Sequence, residues 1–239
     1  MTYLRLALFP IALTVCFGCN ENNHQSINSF DQAFSFNDGM HNWSSDFVDY
    51  PTLGETSLYR LNWQRSELPL RGSERGLRVQ FNNASDDVFA YLYREFGGLR
   101  PSTNYDITIE VTIYTPFSRG IGGIGGSPGE SNAVKIGAVA EAPARVVVSV
   151  GNSTYWRVSI DKGNQSQGGE DMVVVGSLFN GNESDQLVWT SVPMKNVLPH
   201  RVRSSNQGTI WAIAGIDSGF EGFTEVYFES IRVIAQEVP

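Results

Sequence analysis

Residues 105–114 read Tyr-Asp-Ile-Thr-Ile-Glu-Val-Thr-Ile-Tyr, with large apolar side chains at every odd position and mostly polar ones at the even positions. A period of two places successive side chains on opposite faces of an extended chain. The run therefore predicts a strand with one face in a core and the other toward water or a partner. Ten further short runs of β-forming residues share this character: 57–63, 76–81, 88–93, 134–139, 145–150, 155–160, 171–176, 186–190, 209–216 and 225–233. Each is closed by Gly, Pro, Asn or Asp, and none carries a capped apolar stripe of helical period. The pattern predicts an all-β fold, an antiparallel β-sandwich, with a closed barrel as the alternative. In the last run, Val226, Phe228 and Ile231 break strict alternation and predict a bulge or a change of face.

The chain has 239 residues, 41% of them hydrophobic, which suffices for a sizeable core. Its longest stretches without strand character, 116–132 and 161–170, are too short to hold a domain, so one β-sandwich is expected over 34–239. The formal charge is −8, and 14 of the 17 basic residues are Arg, leaving only Lys135, Lys162 and Lys195. These arginines form no basic cluster in the sequence, so nucleic-acid binding is not expected.

Both cysteines lie near the start. Arg5 precedes an apolar run from Leu6 to Phe17, followed by Gly18 and Cys19, which reads as an export signal too short to span a bilayer. The string Cys16-Phe17-Gly18-Cys19 resembles the lipobox of bacterial lipoproteins, with Cys in place of the usual Leu at its first position. That resemblance implies removal of 1–18, lipidation of Cys19, and attachment to a lipid bilayer of the cell envelope through acyl groups. The alternative is a simple cleaved signal. The polar segment 19–33 then reads as a flexible tether.

Three loops concentrate Gly and polar groups. In 119–130 six glycines occupy twelve positions, but no Lys-Ser/Thr and no helix follow, so a phosphate loop is disfavoured. A crossing too tight for side chains, or the rim of a ligand groove, is expected instead. Loop 161–171 supplies Asp161, Asn164, Gln165, Gln167 and Asp171, a mixture of amides and carboxylates suited to hydroxyl groups or a hard cation. Its order does not fit the helical calcium loop, so a structural calcium held by Asp161, Asp171 and Asp217 competes with a solvated turn. Loop 217–224 adds Asp217, Phe220 and Glu221 as candidate ligand contacts. Among five tryptophans, Trp156 is the candidate for stacking on a sugar, while alternation allows it and Trp211 to be core residues instead.

Catalytic signals are weak. His24, His41 and His200 are the only imidazoles, although folding could pair His41 with His200 and an acid. A carboxylate pair for glycan or cell-wall hydrolysis could come from Asp106, Glu110, Asp171, Asp217, Glu221 or Glu225. These acids read equally well as surface charge.

The phrases FNDGMHNWSSDFVDYP, GLRPSTNYDITIEVTIYT and GFTEVYFESIRV resemble the opening, middle and closing strands of jelly-roll carbohydrate-binding modules and galactose-binding-like domains. The strings GIGGSPGES, DKGNQSQGG and DSGFEG resemble a group of uncharacterised bacterial secreted lipoproteins. The first resemblance implies a glycan-binding sheet and a structural calcium near its edge. Together with the residues, it leads to an expectation of non-catalytic binding of an extracellular glycan or envelope protein. An envelope hydrolase and a purely structural lipoprotein are the alternatives.

Overall fold

The computed structural model describes residues 26–239. The expected signal 1–18 and the lipidation candidate Cys19 lie outside the described residues. The first strand, β1 (Ser29–Ser35), starts inside the segment expected to be a tether. It pairs antiparallel with the end of the chain from Ser29↔Gln236 to Ser35↔Ser230. Its polar content hid it, yet Phe30 stacks on Phe96 at 5.0 Å and Phe34 meets Trp43 edge-on at 6.1 Å. Two aromatics four positions apart are enough to fix the face of an otherwise polar strand.

β2 (Ser44–Val48) and the two-residue β3 (Tyr50–Pro51) flank Asp49, which sits at φ 68°. The strand expected at 57–63 is instead a 3-10 turn, Thr56–Tyr59, and β4 (Asn62–Glu67) starts only after it. Arg60 in the left-handed region at φ 48° ends the turn and prevents an extended run there. β5 (Arg75–Asn82), β6 (Val88–Phe96), β7 (Asn104–Thr115) and β8 (Asn132–Val139) form the centre of the fold. β9 (Arg145–Val150) and β10 (Ser153–Val158) make a hairpin, followed by β11 (Met172–Ser177). β12 (Thr190–Lys195) begins where the run 186–190 was expected to end, because Trp189 turns onto Tyr114 and Tyr227. β13 (His200–Arg203), β14 (Ile210–Ser218) and β15 (Phe223–Glu237) complete the chain.

The strands form an antiparallel β-sandwich with jelly-roll connectivity. One sheet runs β12-β7-β15-β5-β4, with β1 also on β15 and β13 on β7, and the other runs β11-β8-β14-β6-β2. The chain steps between the sheets from β5 through β8, and β14 and β15 then insert at the two centres. In β7 the odd residues Tyr105, Ile107, Ile109, Val111 and Ile113 are all buried, as the alternation predicts. They meet Val134, Ile136 and Ala138 of β8 and Ala212, Ala214 and Ile216 of β14 in one apolar core. The register slips between Phe228 and Ser230, which is the irregularity read from the spacing in the last run.

A third sheet, β3-β10-β9, lies outside this sandwich. On β6 the residues Val88, Ala90 and Leu92 face the core, while Phe89 and Tyr91 point to the opposite side. There they form a second buried cluster with Val48, Met172 and Ile213, against which Trp156, Val158 and Ile160 pack. The small sheet is thus seated on an outward aromatic layer. Among the described residues no helix is long and apolar enough to cross a membrane.

Candidate functional site

The seating of that small sheet decides what each of its faces does. Trp156 of β10 is paired with Tyr50 of β3 on one side and with Val147 of β9 on the other. Residues directly opposite in a sheet share a face. Tyr50, Trp156 and Val147 therefore form one cross-strand row. The adjacent residues Asp49 and Arg157 are ion-paired, with Arg157 Nη1 2.7 Å from Asp49 Oδ1.

The row opens on a cleft of about 550 Å³, the right scale for a short oligosaccharide. Tyr50, Thr52, Arg145 and Trp156 line it from the small sheet. Thr56, Ser57, Arg60 and Leu61 line it from the 3-10 turn and its exit. Arg145 lies over the indole of Trp156 at 4.4 Å, donates to Tyr50 Oη at 3.2 Å, and stands 3.5 Å from Asp46 Oδ1. Burial raises the Tyr50 phenol above its ordinary range, the opposing pull of Arg145 notwithstanding, so it stays a hydroxyl. Thr52 Oγ1 hydrogen-bonds the Thr154 hydroxyl, which holds β3 on β10. The cleft thus presents a guanidinium fork held on an aromatic ring, with several hydroxyls around it. That is a surface suited to a polyhydroxylated ligand.

Behind the small sheet is a charge network. Lys135 Nζ donates to Asp217 Oδ2 at 2.7 Å and to the carbonyls of Lys162 and Gln167 at 2.8 Å each. Lys162 Nζ stands 2.7 Å from Asp217 Oδ2 and 2.9 Å from Asp49 Oδ2. Arg157 bridges Asp49 and Asp87, at 2.9 Å from the latter. Burial lowers the Lys135 ammonium, with Asp217 opposing. Burial also pulls Lys162 down, but Asp217 and Asp49 outweigh it and hold Lys162 raised. Burial together with the Asp49 charge pushes Asp87 up to about 6.

Carboxylate oxygens of Asp49, Asp87 and Asp217 lie within 4.8 Å of one another, the one such acidic group among the described residues. This is not the set Asp161, Asp171 and Asp217 expected for calcium. Asp161 accepts the N–H groups of Gly163 and Glu170, at 3.0 Å each, and these bonds hold its carboxyl below the usual range. Asp171 accepts the Asp161 N–H at 2.7 Å. Both acids close their own loop, and Asp217 is turned away toward two ammonium groups. Three basic side chains already stand among Asp49, Asp87 and Asp217, so a divalent ion there would have to displace Lys162 or Arg157.

The other predicted contacts split from Trp156. Asn164 and Gln167 bond to each other through their backbones, and Gln165 Nε2 donates to Asp86 O at 3.0 Å. The three Gly-rich loops do converge: Ile124 bridges Glu221, the Gly219 N–H donates to Ser131 O at 2.8 Å, and Gln165 covers Gly219. A Cβ on Gly125 would come 2.3 Å from Gly219 O, so loop 119–130 is a crossing too close for side chains. Phe220 is wedged between Gly123 and Gly222 and does not line the small pocket of about 190 Å³ that lies beside Gly125, Gln165 and Gly219.

Of the acids considered for hydrolysis, Glu221 is exposed with only its backbone engaged, and the others are similarly committed. Asp106 pairs with Arg201, Glu110 with Arg232, and Glu225 with Arg78. His41 and His200 contact different backbone carbonyls, Ser35 O at 2.8 Å and Ala138 O at 3.0 Å. Sequence reading missed Tyr50, Arg60 and Arg145 in the cleft and Asp49, Asp87, Lys135, Lys162 and Arg157 behind it. Only Lys135, a charge inside the apolar run 133–139, carried a visible signal. A second aromatic pair, Tyr93 and Trp211 at 6.0 Å, lines a separate cleft of about 290 Å³ with Asn42 and Glu95.

No family model matches this sequence, and no curated protein matches it. Several solved structures resemble the chain at low identity. One is TmCBM27, a carbohydrate-binding module described for specific mannan recognition, at 10% identity and TM-score 0.39, covering 88% of this chain and 99% of that one. Another is TmCBM61, solved with β-1,4-galactotriose, at 11% identity and TM-score 0.32, covering 83% and 92%. A third is CBM28, a module specific for non-crystalline cellulose, at 11% identity and TM-score 0.32, covering 84% and 89%. The β-sandwich assignment stands on the strand pairing itself.

Proposed function

We propose that this chain is a non-catalytic glycan-binding β-sandwich, displayed at the bacterial envelope on a lipidated Cys19. The cleft of about 550 Å³ carries the binding reading: it joins the Trp156–Arg145 stack to the hydroxyls of Tyr50, Thr52, Thr56 and Ser57. Sugars are bound by this combination of a flat apolar element with a few polar anchors. The anchor reading rests on the sequence of residues 1–19 alone.

A glycan and cell-wall-fragment panel probed with the full-length protein tests the first part. Retention of at least one saccharide is expected, with about tenfold weaker binding in Trp156→Ala and little change in Trp211→Ala. Trp156→Phe, which keeps the ring packing, guards against a folding defect. Loss in Trp211→Ala with no loss in Trp156→Ala would move the site to the second aromatic pair, and no retention at all would end the glycan reading. Labelling of cells with an alkyne fatty acid tests the anchor, since a Cys19→Ser chain should take up none.

A further inference from the structure

Resting on that reading of the cleft, we propose that its ligand is an acidic saccharide, whose anionic group is taken by Arg60 and Arg145. The charge pattern is the motivation. The whole chain has 25 acidic and 17 basic residues, yet the residues lining this cleft include two arginines and no carboxylate. A neutral sugar needs hydroxyl partners that both donate and accept, and carboxylates and amides supply the accepting half. A guanidinium only donates, and its fork matches a carboxylate, sulfate or phosphate group.

The two arginines are prepared differently. Arg145 is held in place by the Trp156 ring at 4.4 Å and the Tyr50 hydroxyl at 3.2 Å, so little freedom is lost when an anion arrives. Its one carboxylate neighbour among the described residues, Asp46, stands at 3.5 Å and is not part of the lining. Arg60 has no carboxylate within 4.0 Å among the described residues, and its guanidinium lies 5.5 Å from the Phe223 ring. Its backbone sits at φ 48°, capping the 3-10 turn with an N–H bond to Ser57 O at 3.2 Å. Gly or Asn fills such a position with less strain, so the turn gives no reason for an arginine. The residue is exposed and lines a cleft whose other lining residues carry no carboxylate. An anion brought by the ligand completes the site.

Calorimetry on the full-length protein separates the sources of that anion. The probes are a galacturonic-acid oligosaccharide, its neutral methyl ester, a chondroitin sulfate oligosaccharide, and a phosphorylated mannose. At least one acidic probe should bind about tenfold more tightly than the neutral ester, and Arg60→Met should remove that advantage. The exposed position makes this variant a mild change to the fold, and an unchanged unfolding midpoint confirms that. Raising salt to about 0.5 M should also erode the preference. Equal affinity for acid and ester, or an acid preference that survives Arg60→Met, overturns the inference. If neutral saccharides bind through Trp156 with no such preference, glycan binding stands and this inference falls. If no saccharide of either charge binds, both fall together.

Discussion

Lys135 lies in the middle of β8, a strand on which every residue is buried, and it is among the largest side chains fully removed from water. An ammonium in that place is tolerable only because three oxygens surround it, one of them the Asp217 carboxylate. Two of the three are backbone carbonyls of the loop 162–167. The lysine thus does for that loop what a bound cation would do, tying its ends to β8 and β14. Lys135→Met should cost ~3–5 kcal/mol, because it leaves two carbonyls without their ammonium donor and Asp217 with Lys162 as its one remaining cation in a dry interior. Lys135→Met combined with Asp217→Leu should recover much of that loss, since Lys162 keeps Asp49 as a partner. Denaturant unfolding of the two variants decides it. A single variant as stable as the parent would mean that water reaches the site and the network is not a buried one.

At the level of elements, the small sheet hangs on little. β3 and β10 share two residue pairs, supplemented by the Asp49 N–H to Trp156 O at 2.7 Å and the Thr52 N–H to Thr154 O at 2.9 Å. The Arg157 bridge to Asp49 and Asp87 fastens the same junction with side-chain ion pairs. Arg157→Met should therefore raise amide hydrogen exchange in β9 and β10 by about tenfold or more while leaving β7 and β15 protected. Uniform loss of protection in all strands would show instead that the bridge supports the whole sandwich.

The same junction shows what could and could not be read in advance. β7 announced itself because half its residues are strongly apolar and alternate, and β8 because it is apolar throughout. β9 was legible as a strand from Arg145-Val-Val-Val-Ser-Val, but not its exposure along its full length. β3 was invisible, since two residues carry no period. Trp156, the stacking candidate in the sequence, lines the cleft. Its neighbours Tyr50 and Arg145 come from positions about 106 and 11 residues away, and strand pairing is what brings them beside it. Of the loop amides grouped with Trp156, Gln165 donates its side-chain amide to Asp86 O, while Asn164 and Gln167 meet through their backbones.

For the molecule as a whole, the network behind the cleft sets a pH dependence with a definite sign. Asp87 faces Arg157 from β10, Lys162 from the loop that follows it, Asp49 from the β2–β3 junction, and Asp217 from β14. The folded chain keeps the Asp87 proton up to about pH 6, whereas a solvated Asp releases it near 3.8. Between those values the folded state binds more protons than the unfolded one, so stability falls as pH rises across that window. The contribution is about 3 kcal/mol at most. Asp161 works in the opposite sense, because the Glu170 and Gly163 N–H groups lower its carboxyl, and Arg232 does the same for Asp31 through a hydrogen bond. Their support is present above the ordinary Asp range and is lost as acid protonates them. The unfolding midpoint should therefore pass through a maximum on the mildly acidic side and decline toward neutrality. In Asp87→Asn the decline between about pH 4 and pH 6 should vanish, while the loss at lower pH remains. Urea midpoints for both chains across that range test this. A parent chain whose stability does not fall between about pH 4 and pH 6, or an unchanged decline in Asp87→Asn, would remove Asp87 as its origin.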